Sequence, residues 1–427
     1  MNTIKLENYR CYEHLTLSLK RKTNLLIGDN SSGKTTIIRA MRSILSSFFT
    51  GYSDENTRFV GLSESDFTVK VTNSVVENDK PIIVNFDLWG ISAILRRNTR
   101  ETNTLKKPLK PIYTYAKTLQ ETLFENGIQT KSLPLFASFS TEDIHSSRKL
   151  SFEPFKQYAH KPSFGYYECL QGDGFFPYWT KRLLVLKEGG KGIIELQCVQ
   201  QSIQRALGRD GCNIINDMEI RYNQGIIYYH FTDGREIDSD NLSDGYKRLV
   251  NMVTDLAFRC ALLNKGIYAE EACLRTEGTV LIDEIDLHLH PTLQSVVIKG
   301  LQIAFPKLQF IITTHAPMVM TSVQTNEENI VYKLSYTKEK GYEVNSIDLY
   351  GMDASTIIGV ALDTIPRSKE VDDRLKTLFN LIDFDEYAKA SEKLNEMRNE
   401  FGDQLPELAK AQAMLNFLSD SEDDSNS

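Results

Sequence analysis

The chain has 427 residues, enough for two or three hydrophobic cores, and its 41% hydrophobic and 25% charged content is ordinary for a soluble globular protein. A formal net charge of -8 excludes a uniformly basic nucleic-acid binder but leaves room for a local basic patch. The six cysteines have no C-x-x-C spacing, which argues against a zinc ribbon or redox pair, and no apolar run reaches the ~20 residues of a membrane span. Met1 to Lys5 has no leader-like apolar core, so the expectation is a cytoplasmic protein with reduced thiols and no membrane.

Ile4 to Tyr9 and Leu15 to Leu19 alternate apolar and polar residues, which predicts two strands joined through Arg10-Cys11-Tyr12. A third strand, Thr23 to Ile27, leads into Gly28-Asp29-Asn30-Ser31-Ser32-Gly33-Lys34-Thr35-Thr36. This is the G-x-x-x-x-G-K-[ST] phosphate loop (Walker A). Backbone N–H groups must wrap a triphosphate closely, so a Cβ at Gly28 or Gly33 would obstruct them. Lys34 offers a point charge to the β- and γ-phosphates, and the Thr35 hydroxyl offers a ligand to Mg²⁺. Thr36 to Phe49 reads as the following helix, its N-terminus facing the anion.

The two stretches I-x-L-x-N-Y-R-C-Y and N-L-L-I-G-D-N-S-S-G-K-T-T resemble the N-terminus of ABC-type ATPases of the RecF/SMC group. The resemblance implies an antiparallel hairpin leading into the phosphate loop, with Arg10 near the phosphates.

Ser65 to Val71, Ile82 to Leu88 and Ile91 to Leu95 read as strands, and Thr114 to Asn126 as a helix. Arg96, Arg97, Arg100, Lys106, Lys107 and Lys110 form a basic run broken by Pro108 and Pro111. It reads as a solvated loop, or alternatively as a contact to nucleic acid backbone or an acidic partner. Leu133 to Ser140 reads as a buried strand, which the resembled family places in its core. Tyr166-Tyr167 and Phe175 to Trp179 read as core-packing aromatics. Ile193 to Leu207 reads as an amphipathic helix, and Ile214 to Ile220 with Ile226 to Phe231 as a hairpin. No heptad run is long enough for the coiled-coil arm of an SMC protein.

Asn241-Leu242-Ser243-Asp244-Gly245-Tyr246 resembles the ABC signature L-S-G-G-Q, with Asp244 and Tyr246 replacing its first Gly and its Gln. Ser243 is expected to cap a helix from Tyr246 to Leu263, and Gly245 to keep the approach open for an anion. Thr279 to Ile282 is an apolar strand ending in Asp283 and Glu284. At the mouth of a parallel sheet Asp283 can hold Mg²⁺ beside Thr35, and Glu284 can orient or deprotonate a water. The following D-E-x-[DE]-x-H-L-H-P run is similar to a RecF-like D-loop. His288 and His290 have no third ligand nearby, so no metal is assigned to them. Phe310 to Thr314 is a further strand, and its T-T-H-[AS]-P ending puts His315 where the family keeps its switch histidine. No glutamine is assigned to the Q-loop, because Gln302 and Gln309 fall out of order.

Glu328 to Leu334 and Tyr342 to Ile347 predict a last hairpin, and Asp353 to Leu362 a helix. Val371 to Leu381, Phe384 to Phe401 and Pro406 to Leu418 predict a helical tail. The expected fold class is α/β: an ABC-ATPase head made of an antiparallel β lobe and a parallel-sheet core, with an inserted α+β lobe and a C-terminal helical tail. Its expected divisions are core 1–50, inserted lobe 51–240, core 241–350, partner-docking helices 351–418 and a disordered acidic tail 419–427.

The resemblance implies ATP with Mg²⁺, and two chains head to tail, Ser243, Asp244 and Gly245 of one closing on the ATP held by the other. No second catalytic centre is visible, neither a Toprim nor an H-N-H cluster. That pattern is similar to the ATPase subunits of the Septu and PARIS anti-phage systems. It implies a separate effector, an HNH nuclease or a Toprim-like toxin, bound by the tail, with DNA or a phage component as a further partner. The alternatives are a RecF-like repair ATPase that binds DNA directly and a scaffold with an inert ATP site.

Overall fold

The computed structural model describes residues 1–68, 71–72, 75–76, 80–140, 160–171, 176–190, 192–364, 367–402 and 404–425. It divides into two units, Met1–Ile357 and Ile358–Ser427.

The first unit opens with β1 (Thr3–Tyr9), β2 (Tyr12–Ser18), β3 (Thr23–Gly28) and α1 (Lys34–Ser46). β4 (Ile82–Leu88) and β5 (Ile91–Arg97) follow, and complete an antiparallel sheet of order β2-β1-β4-β5. Ile4, Leu6, Leu15, Leu17, Val84 and Phe86 are buried on its core side. The period-two pattern of the sequence fixes which face turns inward.

Further along come α2 (Lys110–Glu121), β6 (Leu135–Phe139), α3 (Phe176–Glu188) and α4 (Ile193–Leu207). β7 (Ile215–Arg221), β8 (Ile226–Phe231) and β9 (Glu236–Asp238) form a small antiparallel sheet. Then follow α5 (Asp244–Tyr268), β10 (Gly278–Ile282), α6 (Val297–Ala304), β11 (Leu308–Thr314), β12 (Asn329–Thr337) and β13 (Gly341–Ser346). The second sheet has the order β6-β10-β11-β3-β12-β13, parallel except for its last hairpin. Every residue of β3, β6, β10 and β11 is buried, as expected for parallel strands covered on both faces. Because β11 lies between β3 and β10, the C-terminal ends of all three open side by side. That is where open α/β sheets bind ligands.

The aromatic-rich segment packs as expected where it is described. Tyr166 joins Phe48, Phe49, Tyr52 and Phe136 in one cluster. Trp179 stacks on Phe258 and donates its Nε1–H to Asp255 at 2.6 Å. Asp255 also receives Arg259 at 2.7 Å, so this buried charge pair is hydrogen-bonded on both sides. Phe175 lies outside the described residues.

Several elements differ from expectation. Residues 51–240 do not stand apart: they supply β4 and β5 to one sheet and β6 to the other. Within them, the strand expected at Ser65 to Val71 gives way to the 3-10 turn Glu64–Asp66, whose capping box with Ser63 uses the backbone N–H groups. Residues 69 and 70 of that stretch are outside the described set. The helix expected at Thr114 to Asn126 starts earlier, with Pro111 in its first turn, and ends at Glu121. Beyond it Asn126-Gly127, with φ of 51° and 78°, turns a short ribbon, the conformation of a type I′ hairpin. Gln302 and Gln309 are structural: Gln309 Nε2 donates to the carbonyls of Met1 and Lys20, and Gln302 Nε2 to Thr23.

α7 (Ala354–Ala361) crosses the division between units, so the boundary falls at 357 rather than at 350. The second unit contains α8 (Lys369–Asp383), α9 (Tyr387–Phe401) and α10 (Pro406–Ser425). Its own core is Leu375, Leu378, Ile382, Ala390, Leu394, Met397, Leu408, Ala411 and Leu415, at the predicted three- and four-residue spacing. α10 continues to Ser425, where a disordered acidic tail was expected from 419. A helix already nucleated by packed turns propagates at little cost, even into acidic residues.

Candidate nucleotide site

Gly28 and Gly33 have φ of 142° and 92°, which only glycine adopts freely. A Cβ on Gly28 would come within 2.2 Å of the Leu334 carbonyl oxygen, and one on Gly33 within 2.3 Å of the Tyr12 hydroxyl. The neighbouring protein therefore enforces both glycines, in addition to the phosphate clearance expected from the motif. Lys34 begins α1. That helix has no acidic residue in its first turn and no side-chain cap, so its leading N–H groups face the loop without a carboxylate competitor.

The Lys34 amine folds into the loop and donates to the carbonyls of Gly28 (2.8 Å) and Asp29 (2.7 Å) and to Ser32 Oγ (3.3 Å). Burial pulls its pKa down to about 8, against the opposing pull of Asp283, Asp29, Glu284 and Asp286. The protonated amine is the form that attracts phosphate. Nucleotide affinity is therefore expected to fall as pH rises through about 8, and a Lys34→Arg variant to lose that dependence. Titration calorimetry from pH 7 to 9.5 checks it.

The carboxylates arrive from the end of β10. Asp283 is buried; its Oδ2 accepts from Thr35 Oγ1 at 3.1 Å, and its Oδ1 from Thr313 Oγ1 at 2.5 Å. Thr35 and Asp283 thus present adjacent hard oxygen ligands, a donor set that suits Mg²⁺. Glu284 follows with a left-handed φ of 51°, its N–H held by Thr313 Oγ1 at 2.8 Å. Its carboxyl is half-buried, and desolvation, reinforced by Asp283 and Asp286, raises its pKa above the usual glutamate range. His315 follows β11, and burial, then Lys34, lowers its pKa, which favours the neutral ring. Thr314 Oγ1 donates to Asp286 at 2.5 Å and accepts the Ala316 N–H, which fixes the turn carrying His315.

Asn30, Ser31, Gly33, Lys34, Thr35, Thr36, Asp283, Glu284 and His315 line one cavity of about 340 Å³. Cys11 and Tyr342 line it too, and the sequence reading assigned neither. Arg10 does not line it; its guanidinium lies 3.6 Å from Asp66. Arg248 was also missed. It donates to the carbonyls of Asp283 (3.0 Å) and Leu287 (3.3 Å), tying α5 to the loop after β10.

The signature residues lie elsewhere. Ser243, Asp244 and Gly245 are not among the residues lining the cavity. α5 starts at Asp244 rather than Tyr246, and Ser243 occupies the N-cap position without a side-chain capping bond. Ser243 and Asp244 are exposed. Gly245 is buried, and a Cβ there would meet the His288 carbonyl oxygen at 2.4 Å, so close packing rather than an open approach requires its glycine. His290 accepts from the Thr292 N–H as a helix cap. Glu219, His230 and Glu236 gather as a possible metal group, but Arg221 already bridges the two glutamates at 2.6 and 3.1 Å.

Residues 1–168 match a family described as "AAA ATPase domain", and residues 111–321 one described as "AAA domain, putative AbiEii toxin, Type IV TA system". Each match covers less than half of the chain, and the fold and the site are similar to those of such ATPase domains. Proteins similar to this chain include a "Retron Vc95 probable ATPase" of Vibrio cholerae, 44% identical over 24% of this chain and 20% of that protein. A "Retron Ec83 probable ATPase" of Escherichia coli is 25% identical over 75% of this chain and 69% of that protein. A "Septu protein PtuA" of Bacillus mycoides is 30% identical over 39% of this chain and 23% of that protein. The chain thus spans about a fifth of the Vibrio relative's length and about a quarter of the Septu relative's.

Proposed function

We propose that this chain binds and hydrolyses ATP between two copies of itself and uses that cycle to control a separate nuclease or toxin in anti-phage defence. The observation that carries the reading is the split of the site. Lys34, Thr35, Asp283, Glu284 and His315 share one cavity, while Ser243 of the same chain stands exposed outside it. A second copy arranged head to tail would bring its Ser243, Asp244 and Gly245 to the open side of the nucleotide.

In this reading the Lys34 amine turns from the loop carbonyls to the β- and γ-phosphates. Thr35 and Asp283 would hold Mg²⁺, which would supply charge neutralisation when bound. Glu284 accepts a proton from the attacking water as the water oxygen bonds to the γ-phosphorus. The bond to the β-phosphate oxygen breaks, giving ADP and phosphate. His315 donates to the γ-phosphate. Moving the closed state from 1:99 to 99:1 requires about 5.5 kcal/mol of differential affinity, within reach of two buried triphosphates.

The Septu and retron names of the relatives support the defence role. Partner docking is assigned to the second unit. Phe384 and Phe417 lie there, each 75% exposed, the most exposed large apolar side chains among the described residues. Among the described residues no helix is long and apolar enough to cross a membrane. The test is co-expression with the neighbouring reading frame, followed by affinity purification and light scattering. An ATP-dependent dimer should retain a nuclease or toxin subunit, and Phe384→Ser with Phe417→Ser should release it. A chain that stays monomeric with ATP and retains no partner sinks the proposal.

A further inference from the structure

The basic run of the sequence divides in the structure. Arg96 donates to Asn98 at 2.9 Å, and Arg97, nearly buried, donates to the carbonyls of Leu62 (2.7 Å) and Arg100 (2.6 Å). The Arg100 guanidinium lies over the Phe67 ring. Arg97 and Arg100 tie the end of β5 to the Leu62–Phe67 segment, and the Arg96 side chain makes a local bond. The lysines do neither: the amines of Lys106, Lys107 and Lys110 have no hydrogen-bond or ion-pair partner among the described residues.

All three lysines line one cavity of about 510 Å³, larger than the ATP cavity, and no acidic side chain lines it. They also crowd the N-terminal end of α2, where the helix dipole is itself positive and disfavours ammonium groups. Aromatic side chains share the lining: Phe49, Phe59 and Tyr113, the last on α2 one turn beyond Lys110. Phe49 is locked in the aromatic cluster with Phe136 and Tyr166. Gln120 clamps the Ser53 backbone from both sides, accepting its N–H at 3.2 Å and donating to its carbonyl at 3.1 Å. A Cβ on Gly51 would fall 2.1 Å from the Tyr113 carbonyl oxygen, so the walls meet closely. Lysine amines beside aromatic rings are the two halves of a nucleotide-binding surface: charge for phosphate and a flat face for a base.

We infer that this cavity binds a phosphorylated nucleoside, its phosphate on Lys106, Lys107 and Lys110 and its base against Tyr113 and Phe59. The nucleoside is either a free nucleotide or the phosphorylated end of a single strand. The site is separate from the ATP cavity. Phe49 and Thr50 follow the far end of α1, a 13-residue helix about 20 Å long.

Two probes test it on the full chain. AMP binding is measured by calorimetry in a Lys34→Ala background, with no other nucleotide present to compete for the second cavity. A short oligothymidylate, with and without a 5′-phosphate, is followed by fluorescence anisotropy. At least one probe should bind, and Lys106→Ala/Lys107→Ala/Lys110→Ala should weaken it by ~10-fold or more. Tyr113→Ala should weaken it by ~5-fold or more, the loss expected for base stacking. ATP turnover of the triple variant should match the parent. AMP binding alone identifies a free nucleotide, and 5′-phosphate-dependent oligonucleotide binding identifies a strand end. The inference is overturned if neither probe binds below about 1 mM, if the triple variant binds like the parent, or if Tyr113→Ala changes nothing.

Discussion

Glu284→Gln is expected to lower ATP turnover by ~10³-fold while leaving nucleotide binding intact, the loss typical of removing a general base. The substitution keeps the size and hydrogen-bonding reach of the side chain and removes only the group that accepts a proton. Its half-buried carboxyl stands beside Asp283 and Asp286, and both desolvation and these neighbours raise its pKa. A glutamate held in this way is a better base than a solvated one. Turnover of the unaltered protein should fall with decreasing pH earlier than an ordinary glutamate would require, because the carboxyl protonates early. In the glutamine variant that acid limb should vanish with the rate. Phosphate release across pH 5 to 8, alongside nucleotide binding at pH 7, measures both. Turnover absent from the parent and the variant alike would mean an ATP site that is held and never fired, the scaffold reading, and measurable turnover left unchanged would mean that Glu284 is not the base.

The second expected result concerns complementation. In the proposed dimer, Lys34→Ala would remove the phosphate cation, and Ser243→Asp would set a carboxylate against the γ-phosphate. Each alone should reduce turnover by ~100-fold or more, the scale of losing a charge-stabilising contact. Mixed in equal amounts, they should recover about a quarter of the unaltered activity if the active form is a two-fold dimer. Half of the dimers would be mixed, and each mixed dimer would hold one site with both lesions and one with neither. If Lys34 and Ser243 of a single chain served the same ATP, mixing would recover nothing. The experiment therefore separates assembly in trans from a self-contained site, with no need to see the dimer itself.

The parts of the site that were legible in the sequence are those where chemistry and chain direction coincide. Gly28 to Thr36, Asp283-Glu284 and Thr314-His315 each sit at the end of an apolar strand, and a parallel sheet must bring such ends together. The residues that escaped notice come to the cavity sideways. Tyr342 arrives from an edge hairpin and Cys11 from the turn of the other sheet, while Arg248, one turn inside a helix, meets the Asp283 carbonyl without lining the cavity. Thr313 was present in the quoted motif, yet its contact with Asp283 depends on β10 and β11 lying side by side, a fact of register rather than of sequence. The same limit explains residues 51–240. Their strands were legible one by one, but nothing local says that β4 pairs with β1 or β6 with β10. Helix ends were misplaced where a turn residue overrode the periodic pattern, as Asn126-Gly127 did after α2.

Tyr12 sits on the outer side of the phosphate loop, its hydroxyl donating to the Ser32 carbonyl at 3.1 Å and its ring set edge-on to Tyr342. The loop is therefore gripped from behind by the first residue of β2. A side chain at Gly33 would run into that same hydroxyl, so ring and loop are fitted to each other. The antiparallel sheet thus touches the phosphate loop directly, through one buried aromatic side chain.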